Sequence, residues 1–165
     1  MKLIFVTGLP GCGKSYFARH LSRQIKSDYI NSELIRKDLF YDPGYPKNER
    51  GVLFRKLLEM IRHAFQYGQD IVVDTILYNQ RDYRFFEQNL SDYLIQTVIF
   101  EIISSEDIIE KRLMEDRPDS DTNLALYQLI RSYVKPLSTP CCKIWSGPAN
   151  IQEMLDKAIN YLNNK

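Results

Sequence analysis

Residues 8–15 read GLPGCGKS and fit the pattern G-x-x-x-x-G-K-[S/T] at every fixed position. Glycines in this pattern let the backbone approach an anion closely, while N–H groups and a helix amino terminus direct positive charge at it. A lysine at position 14 can reach the β- and γ-phosphates, and a serine hydroxyl at position 15 can bind Mg²⁺. The pattern predicts a nucleoside triphosphate site with Lys14 as a catalytic residue, formed by Gly8, Gly11, Cys12, Gly13, Lys14, Ser15 and Tyr16.

A second candidate group begins at Asn31, in the segment NSELIR. Glu33 and Arg36 are three positions apart on the helix predicted there, so their side chains share one face. The carboxylate can accept a proton from an acceptor hydroxyl, and the guanidinium can hold an anionic group of the same substrate. We therefore expect Glu33 to be a catalytic base and Arg36 to bind substrate, with Asp38 as an alternative base.

The segment IVVDT places an aspartate, Asp74, at the end of an apolar run. This order matches the Walker B pattern, in which the carboxylate orients Mg²⁺ directly or through water. The same carboxylate can instead contact the acceptor, and the sequence leaves both roles open. Thr75 follows directly, and Arg81 and Arg84 begin the next helix, where solvent exposure is the default for both. Thr75 and Arg81 are the candidate substrate-binding residues among these three.

The polar segment EDRPDSD, residues 115–121, follows a helical pattern and contains a proline. A cation in such a loop can close over phosphates, offset charge in the transition state and exclude water. We expect a short lid around 115–121 with Arg117 as a catalytic residue. Arg112 is less suited because it still lies in the helical pattern, and Arg131 on the next helix has less support.

The elements that must position these residues alternate along the chain. Short apolar or β-branched runs predict strands, and segments with apolar residues every three or four positions predict helices. The expected strands are 2–7, 29–30, 70–74, 94–103 and 142–145, and the expected helices are 15–25, 33–40, 48–67, 81–90, 106–114, one ending near 134, and 151–162.

This alternation predicts an α/β fold in which a parallel five-stranded sheet lies between helices, the three-layer arrangement of nucleotide kinase-like P-loop NTPases. One domain, residues 1–165, is expected to include the short lid. Ligands of such sheets bind at the carboxyl ends of the strands. Glu33 and Arg36 are therefore expected at the strand end next to the phosphate loop, with Asp74 on the strand beyond.

Composition narrows the classes of partner. The chain has 165 residues, with 22 basic and 21 acidic side chains and a net charge of +1. This balance disfavours a long footprint on duplex nucleic acid, but it allows a small anion or the end of a single strand. No apolar run reaches the ~18–20 residues that span a bilayer, so no membrane partner is expected. Three cysteines without a CxxC motif are typical of reduced thiols, and we expect a cytoplasmic protein.

Four segments in order, GLPGCGKSYFARHL, NSELIRKDL, IVVDTILYNQRDYR and EKRLMEDRPD, resemble small P-loop kinases of the AAA_33 type, grouped with polynucleotide 5′-hydroxyl kinases and zeta-type toxin kinases. The resemblance spans about residues 1–135. It implies ATP and Mg²⁺ as cofactors, Glu33 as the general base, Arg36 on a substrate phosphate, and Arg117 as the lid arginine. It also implies that Asp74 and Thr75 lie near the acceptor.

Two positions depart from the pattern of that family. Glu33 stands where the family usually has aspartate, so the acceptor hydroxyl is placed differently or the activity is weaker. Tyr16 replaces the more common threonine after the motif serine, which we expect to matter less.

The expected activity is transfer of the γ-phosphate of ATP to a hydroxyl, with a polynucleotide 5′-hydroxyl or a nucleotide- or nucleoside-like acceptor favoured. The segments GYPKNER and YGQDIVVDTILYNQRDYR also resemble adenylylsulfate kinases and chloramphenicol phosphotransferases. Alternatives are therefore a zeta-toxin-like kinase of a nucleotide sugar, another small-molecule kinase, or a non-catalytic ATP-binding regulatory protein. A guanine-specific protein is disfavoured because the chain has no N-K-x-D element.

Overall fold

A computed structural model describes residues 1–40, 47–114 and 124–164 of the chain. The predicted lid with Arg117 and most of the loop 41–47 lie outside the described residues. The strands are β1 (Lys2–Thr7), β2 (Asp28–Asn31), β3 (Ile71–Asp74), β4 (Gln96–Ile103) and β5 (Cys142–Trp145). The helices are α1 (Lys14–Ile25), α2 (Ser32–Leu39), α3 (Lys47–Gln66), α4 (Gln80–Asn89), α5 (Glu106–Met114), α6 (Leu124–Tyr133) and α7 (Ile151–Asn163).

The five strands form one parallel sheet in the order β2-β3-β1-β4-β5. Successive side chains of a strand point to opposite faces, and β1 shows this directly. Its Ile4 and Val6 pack with residues of α1, α5, α6 and α7, whereas Leu3 and Phe5 pack with residues of α3 and α4. The predicted α/β fold with helices on both faces of a parallel sheet is confirmed.

The order of the strands corrects one expectation. β3 lies between β1 and β2, so Asp74 is next to the phosphate loop and Asn31 is one strand further out. The reason is burial: all four residues of β3 are buried, as a strand covered on both faces requires. β2 carries an exposed aspartate, Asp28, so it can lie at the edge of the sheet, where one side of the strand faces solvent.

The boundaries of β2, β3 and β4 also differ from the predicted ones, and β3 begins at Ile71 instead of residue 70. β2 extends over Asp28–Asn31 because its backbone pairs with β3 along this length, and pairing outweighs the low strand propensity of Asp and Asn. β4 begins at Gln96 instead of residue 94, and the Leu94 side chain is almost fully exposed. No helix within the described part of the chain is long and apolar enough to cross a membrane.

Candidate active site

The phosphate loop connects β1 to α1 in a backbone shape that glycine permits. Gly11 and Gly13 have φ angles of +78° and +95°, the left-handed region that other residues rarely adopt. A Cβ on Gly13 would lie 2.7 Å from Oγ of Ser146, so a larger residue is also excluded by contact. The helix α1 begins directly after this glycine, at Lys14, and its first N–H groups are available to an anion.

Arg112 of α5 contacts this loop and lines the same cavity as the loop. Its Nη1 donates to the carbonyl of Cys12 at 3.1 Å and to Oγ of Ser146 at 3.1 Å, and its Nη2 donates to the carbonyl of Gly147 at 3.0 Å. One guanidinium therefore joins the phosphate loop to the segment after β5. The sequence favoured Arg117 over Arg112 because Arg112 is helical, but this helix carries the side chain directly to the loop.

We expect Arg112→Ala to lower the affinity for a nucleoside triphosphate by about tenfold or more. A hydrogen bond to a charged group contributes about 1.5–3 kcal/mol, and about 1.4 kcal/mol corresponds to a factor of ten in affinity. Lys111→Ala is the matched control, since Lys111 is the exposed neighbour on the same helix. Calorimetric titration with a non-hydrolysable ATP analogue measures both, and equal affinities for the two variants would contradict the prediction.

Asp74 is buried at the carboxyl end of β3 and is 2% exposed. Its Oδ2 accepts hydrogen bonds from the Tyr29 hydroxyl at 3.1 Å and from Nδ2 of Asn31 at 3.0 Å. Its Oδ1 is buried and has no hydrogen-bond partner among the residues that the structure describes. Burial raises the pKa of this carboxyl, and the Lys14 ammonium and the Ser15 hydroxyl oppose that rise.

These features fit the Mg²⁺ ion that a phosphate loop of this kind implies. A buried carboxylate oxygen without a partner, beside a serine hydroxyl and a lysine, offers the oxygen ligands that Mg²⁺ takes, directly or through water. Ser15 and Asp74 are the residues that would hold it.

Glu33 and Arg36 occur together on α2. The Asn31 side chain caps this helix by accepting from the N–H groups of Glu33 at 2.9 Å and Leu34 at 3.1 Å. Nη2 of the buried Arg36 lies 2.6 Å from Oε1 of Glu33, and its Nη1 lies 3.5 Å from Oε2 of Glu49 on α3. Two carboxylates therefore contact one guanidinium. Glu49 was not identified from the sequence because α3 reaches α2 only through tertiary packing.

One cavity of about 990 Å³ joins these groups. It is lined by the phosphate loop and the start of α1, by Glu33 and Arg36, and by Asp74 and Thr75. Its far end adds cationic and aromatic or apolar side chains from α3, α4, α6 and the loops after β3 and α6. These are Arg50, Leu53, Phe54, Tyr78, Arg81, Leu129, Tyr133 and Lys135.

Tyr78 is held firmly at that end. Its N–H donates to Oδ2 of Asp82 at 2.7 Å, its carbonyl accepts from the N–H of Lys135 at 2.7 Å, and the Arg50 guanidinium lies 5.3 Å from its ring centroid. Burial raises the pKa of Tyr78 to about 12, so its hydroxyl is a neutral hydrogen-bond donor. Tyr78 lies in the segment IVVDTILYNQRDYR, but no role was predicted for it from the sequence.

Several predicted residues lie elsewhere. Asp38 is exposed and is not among the described residues that line the cavity, which leaves Glu33 as the carboxylate of α2 in contact with it. Arg131 pairs with Glu106 on the surface, and Arg84 is also exposed.

In the phosphate loop, the Cys12 thiol is buried in the core below the loop, and burial raises its pKa. Gly8 and Cys12 are not among the described lining residues, whereas Gly11, Gly13, Lys14, Ser15 and Tyr16 are.

Solved structures with the same fold cover nearly the whole chain. A sugar kinase from Janibacter sp. HTCC2649 has a TM-score of 0.78 at 12% identity, with 99% of this chain and 95% of that chain covered. A gluconokinase from Sinorhizobium meliloti 1021 has a TM-score of 0.73 at 16% identity, with 99% and 92% covered. The APS kinase CysC of Mycobacterium tuberculosis, solved with AMPPNP and APS, has a TM-score of 0.73 at 20% identity, with 98% and 97% covered.

None of the curated protein sequences compared with the chain matches it significantly. The similarity to the solved structures establishes a P-loop kinase-like fold, while the subtype of polynucleotide kinases is not established by it. The family model of AAA_33, described as an AAA domain, matches residues 3–137, which contain the phosphate loop, α2, β3 and Arg112. The chain therefore belongs to the AAA_33 family.

Proposed function

We propose that the protein is an ATP-dependent kinase that transfers the γ-phosphate to a hydroxyl group of a second substrate. The observation that carries this proposal is the shared cavity of about 990 Å³, which is lined by Lys14 and Ser15 on one side and by Glu33 and Arg36 on the other. Sites for one small ligand have volumes of about 300–1,000 Å³, so this cavity is at the upper end. It has room for a donor phosphate chain and an acceptor group.

The donor half is built around the phosphate loop. Lys14 and the amino terminus of α1 neutralise the β- and γ-phosphates, and Arg112 holds the loop through its hydrogen bond to the carbonyl of Cys12. The segment 147–151 after β5 lines the same part of the cavity and is a surface for the base. Ser15 and Asp74 would hold Mg²⁺, which would supply charge neutralisation for the phosphates.

The acceptor half is built around α2. Glu33 accepts the proton of the attacking hydroxyl, and Arg36 holds the Glu33 carboxylate in place through the contact of 2.6 Å. Thr75 and Arg81 line the cavity beside Asp74 and are available to the acceptor. Arg117 remains the proposed lid arginine that closes over the phosphates.

The acceptor that we favour is a polynucleotide 5′-hydroxyl or a nucleotide- or nucleoside-like molecule. Arg50, Arg81 and Lys135 can attract its phosphates, and the exposed ring of Tyr133 can stack on a base. A nucleic-acid end that is bound in this way needs no long basic surface, which agrees with the net charge of +1.

A small anionic acceptor is the second candidate. The solved structures with this fold include a gluconokinase and an APS kinase, so a sugar acid and adenylylsulfate belong to the acceptors to be tested. The same cations would hold a carboxylate or sulfate group.

Transfer from γ-labelled ATP to a panel of acceptors tests the proposal. The panel contains 5′-hydroxyl oligonucleotides, nucleosides, adenylylsulfate, nucleotide sugars and gluconate, with the Lys14→Ala protein as the blank. We expect one class to become labelled by the wild type alone. Tight ATP binding without a labelled product from any acceptor would instead support a regulatory ATP-binding protein and overturn the kinase assignment.

A further inference from the structure

Two side chains of β2 hold the buried carboxylate of Asp74 by one of its oxygens. Both donors, the Tyr29 hydroxyl at 3.1 Å and Nδ2 of Asn31 at 3.0 Å, contact the same oxygen, Oδ2. These two donors also contact each other, since Nδ2 of Asn31 donates to the Tyr29 hydroxyl at 3.1 Å. Two directional bonds on one oxygen fix the plane of the carboxylate. The other oxygen, Oδ1, accepts no hydrogen bond from any residue in the described ranges.

The side chain of Asn31 makes two sets of contacts that need opposite ends of its amide. Its Oδ1 accepts from the N–H groups of Glu33 and Leu34, so the oxygen must face the start of α2. Its Nδ2 must then face Asp74, because an amide nitrogen can only donate. Asp also caps helices well but has no N–H to donate to a second carboxylate, and the hydroxyl of Ser or Thr is one bond closer to the backbone than the Asn31 amide nitrogen. The cap therefore does not by itself explain an asparagine here.

We propose that Tyr29 and Asn31 are positioning residues that hold Oδ2 of Asp74 so that Oδ1 is presented to Mg²⁺ at the phosphate loop. Asn31 also connects this carboxylate to the amino terminus of α2, on which Glu33 lies. Donor and acceptor halves of the cavity are thereby joined through one side chain. This inference rests on the proposed function, because it assumes that the nucleotide binds together with Mg²⁺.

The geometry favours the metal role of Asp74 over the acceptor role that the sequence left open. Asp74 Oδ1 is buried, and Asp74 lines the same cavity as Lys14 and Ser15, whose ammonium and hydroxyl oppose the rise in the pKa of this carboxyl that burial causes. Outer partners of this kind orient a ligand for a metal, and their loss typically costs about 10- to 100-fold in metal affinity. Removing either donor should therefore weaken Mg²⁺ binding while leaving the phosphate loop intact.

The experiment compares binding of AMPPNP with and without Mg²⁺ by calorimetry, using the full chain. The measured quantity is the ratio of the Kd in EDTA to the Kd in Mg²⁺. We expect Tyr29→Phe and Asn31→Ser each to reduce this ratio by about tenfold relative to wild type, with the Kd in EDTA unchanged. Because both act on one oxygen, the double variant should lose less than the product of the single losses.

The variants are chosen to keep the fold. Asn31→Ser retains a good helix cap, and Tyr29→Phe retains the ring. Tyr93→Phe, which packs near Phe65 away from the cavity, is the control for loss of a phenol hydroxyl, and we expect no change in its ratio. Thermal unfolding of each variant reports whether it is folded, and Tyr29→Phe alone decides the question if Asn31→Ser is unstable.

The outcomes separate the two proposals. If wild type binds AMPPNP more tightly with Mg²⁺ and both variants keep the full ratio, the positioning role is wrong and the kinase proposal stands. Wild type that binds no AMPPNP under either condition would overturn the proposed function, and the inference with it. The positioning role is supported if Tyr29→Phe and Asn31→Ser both reduce the ratio of the Kd in EDTA to the Kd in Mg²⁺ and Tyr93→Phe does not.

Discussion

Lys14→Ala is expected to reduce phosphoryl transfer by about 10³-fold. Lys14 is the cation of the phosphate loop that lines the cavity, and a preorganised cation or donor on the transferring group typically contributes about 10²- to 10³-fold or more in rate. Its removal also takes away the positive charge that lowers the pKa of the buried Asp74. The initial rate of label transfer from γ-labelled ATP to the acceptor found in the panel measures the effect.

Arg23→Ala is the matched control because Arg23 is an exposed cation in the last turn of the same helix. We expect this variant to retain the wild-type rate, and thermal unfolding should place both variants close to wild type. A Lys14→Ala protein with undiminished transfer would remove Lys14 from the catalytic residues and leave the loop as a binding element only.

The donor half of the site could be predicted from the sequence because its determinants are local. A strand, a turn of fixed length with glycines, and a helix that starts at Lys14 are all encoded within residues 2–25. The same holds for the spacing of Glu33 and Arg36, which places both side chains on one face of α2. Short-range hydrogen bonding and helix periodicity act on adjacent residues, so a single sequence displays them.

The acceptor half could be predicted only in part because its walls come from distant segments. Glu49 and Arg50 of α3, Tyr78 after β3 and Lys135 after α6 meet through packing and through contacts such as the bond between Lys135 and Tyr78. Glu49, Arg50 and Tyr78 lie in segments that resemble other kinases, but nothing in those segments indicates that the three side chains meet at one cavity, and Lys135 lies outside them.

The order of the strands was not predictable for a related reason. Chain order suggested that β2 lies beside β1, whereas the burial of every residue of β3 moves that strand to the inside. That exchange is what brings Asp74 between the phosphate loop and Asn31. The role of Arg112 has the same origin, since a helical position in α5 gives no indication of which loop the helix faces.

Glu33→Gln is expected to lower the rate of transfer by about 10²- to 10⁴-fold, the usual contribution of a positioned general base. Glutamine has the same length and can still accept a hydrogen bond from Arg36, so the substitution removes the proton acceptor and little of the geometry. The Kd for AMPPNP should remain that of wild type because Glu33 lies on the acceptor side of the cavity. The experiment measures kcat for the labelled acceptor and the Kd for AMPPNP on the same protein.

Two further variants separate a base from a structural carboxylate. Glu49→Gln removes the other carboxylate beside Arg36 but leaves Glu33 charged, and its kcat should stay within about tenfold of wild type. Asp38→Asn should leave kcat unchanged, since Asp38 is exposed. If Glu33→Gln kept the wild-type kcat while Asp38→Asn lost it, the base would be Asp38, and α2 would have to turn its exposed face toward the acceptor during the reaction. If Glu33→Gln is the only one of these variants that loses kcat, the base is Glu33. Arg36 holds this carboxylate, and Asn31 connects the start of its helix to Asp74.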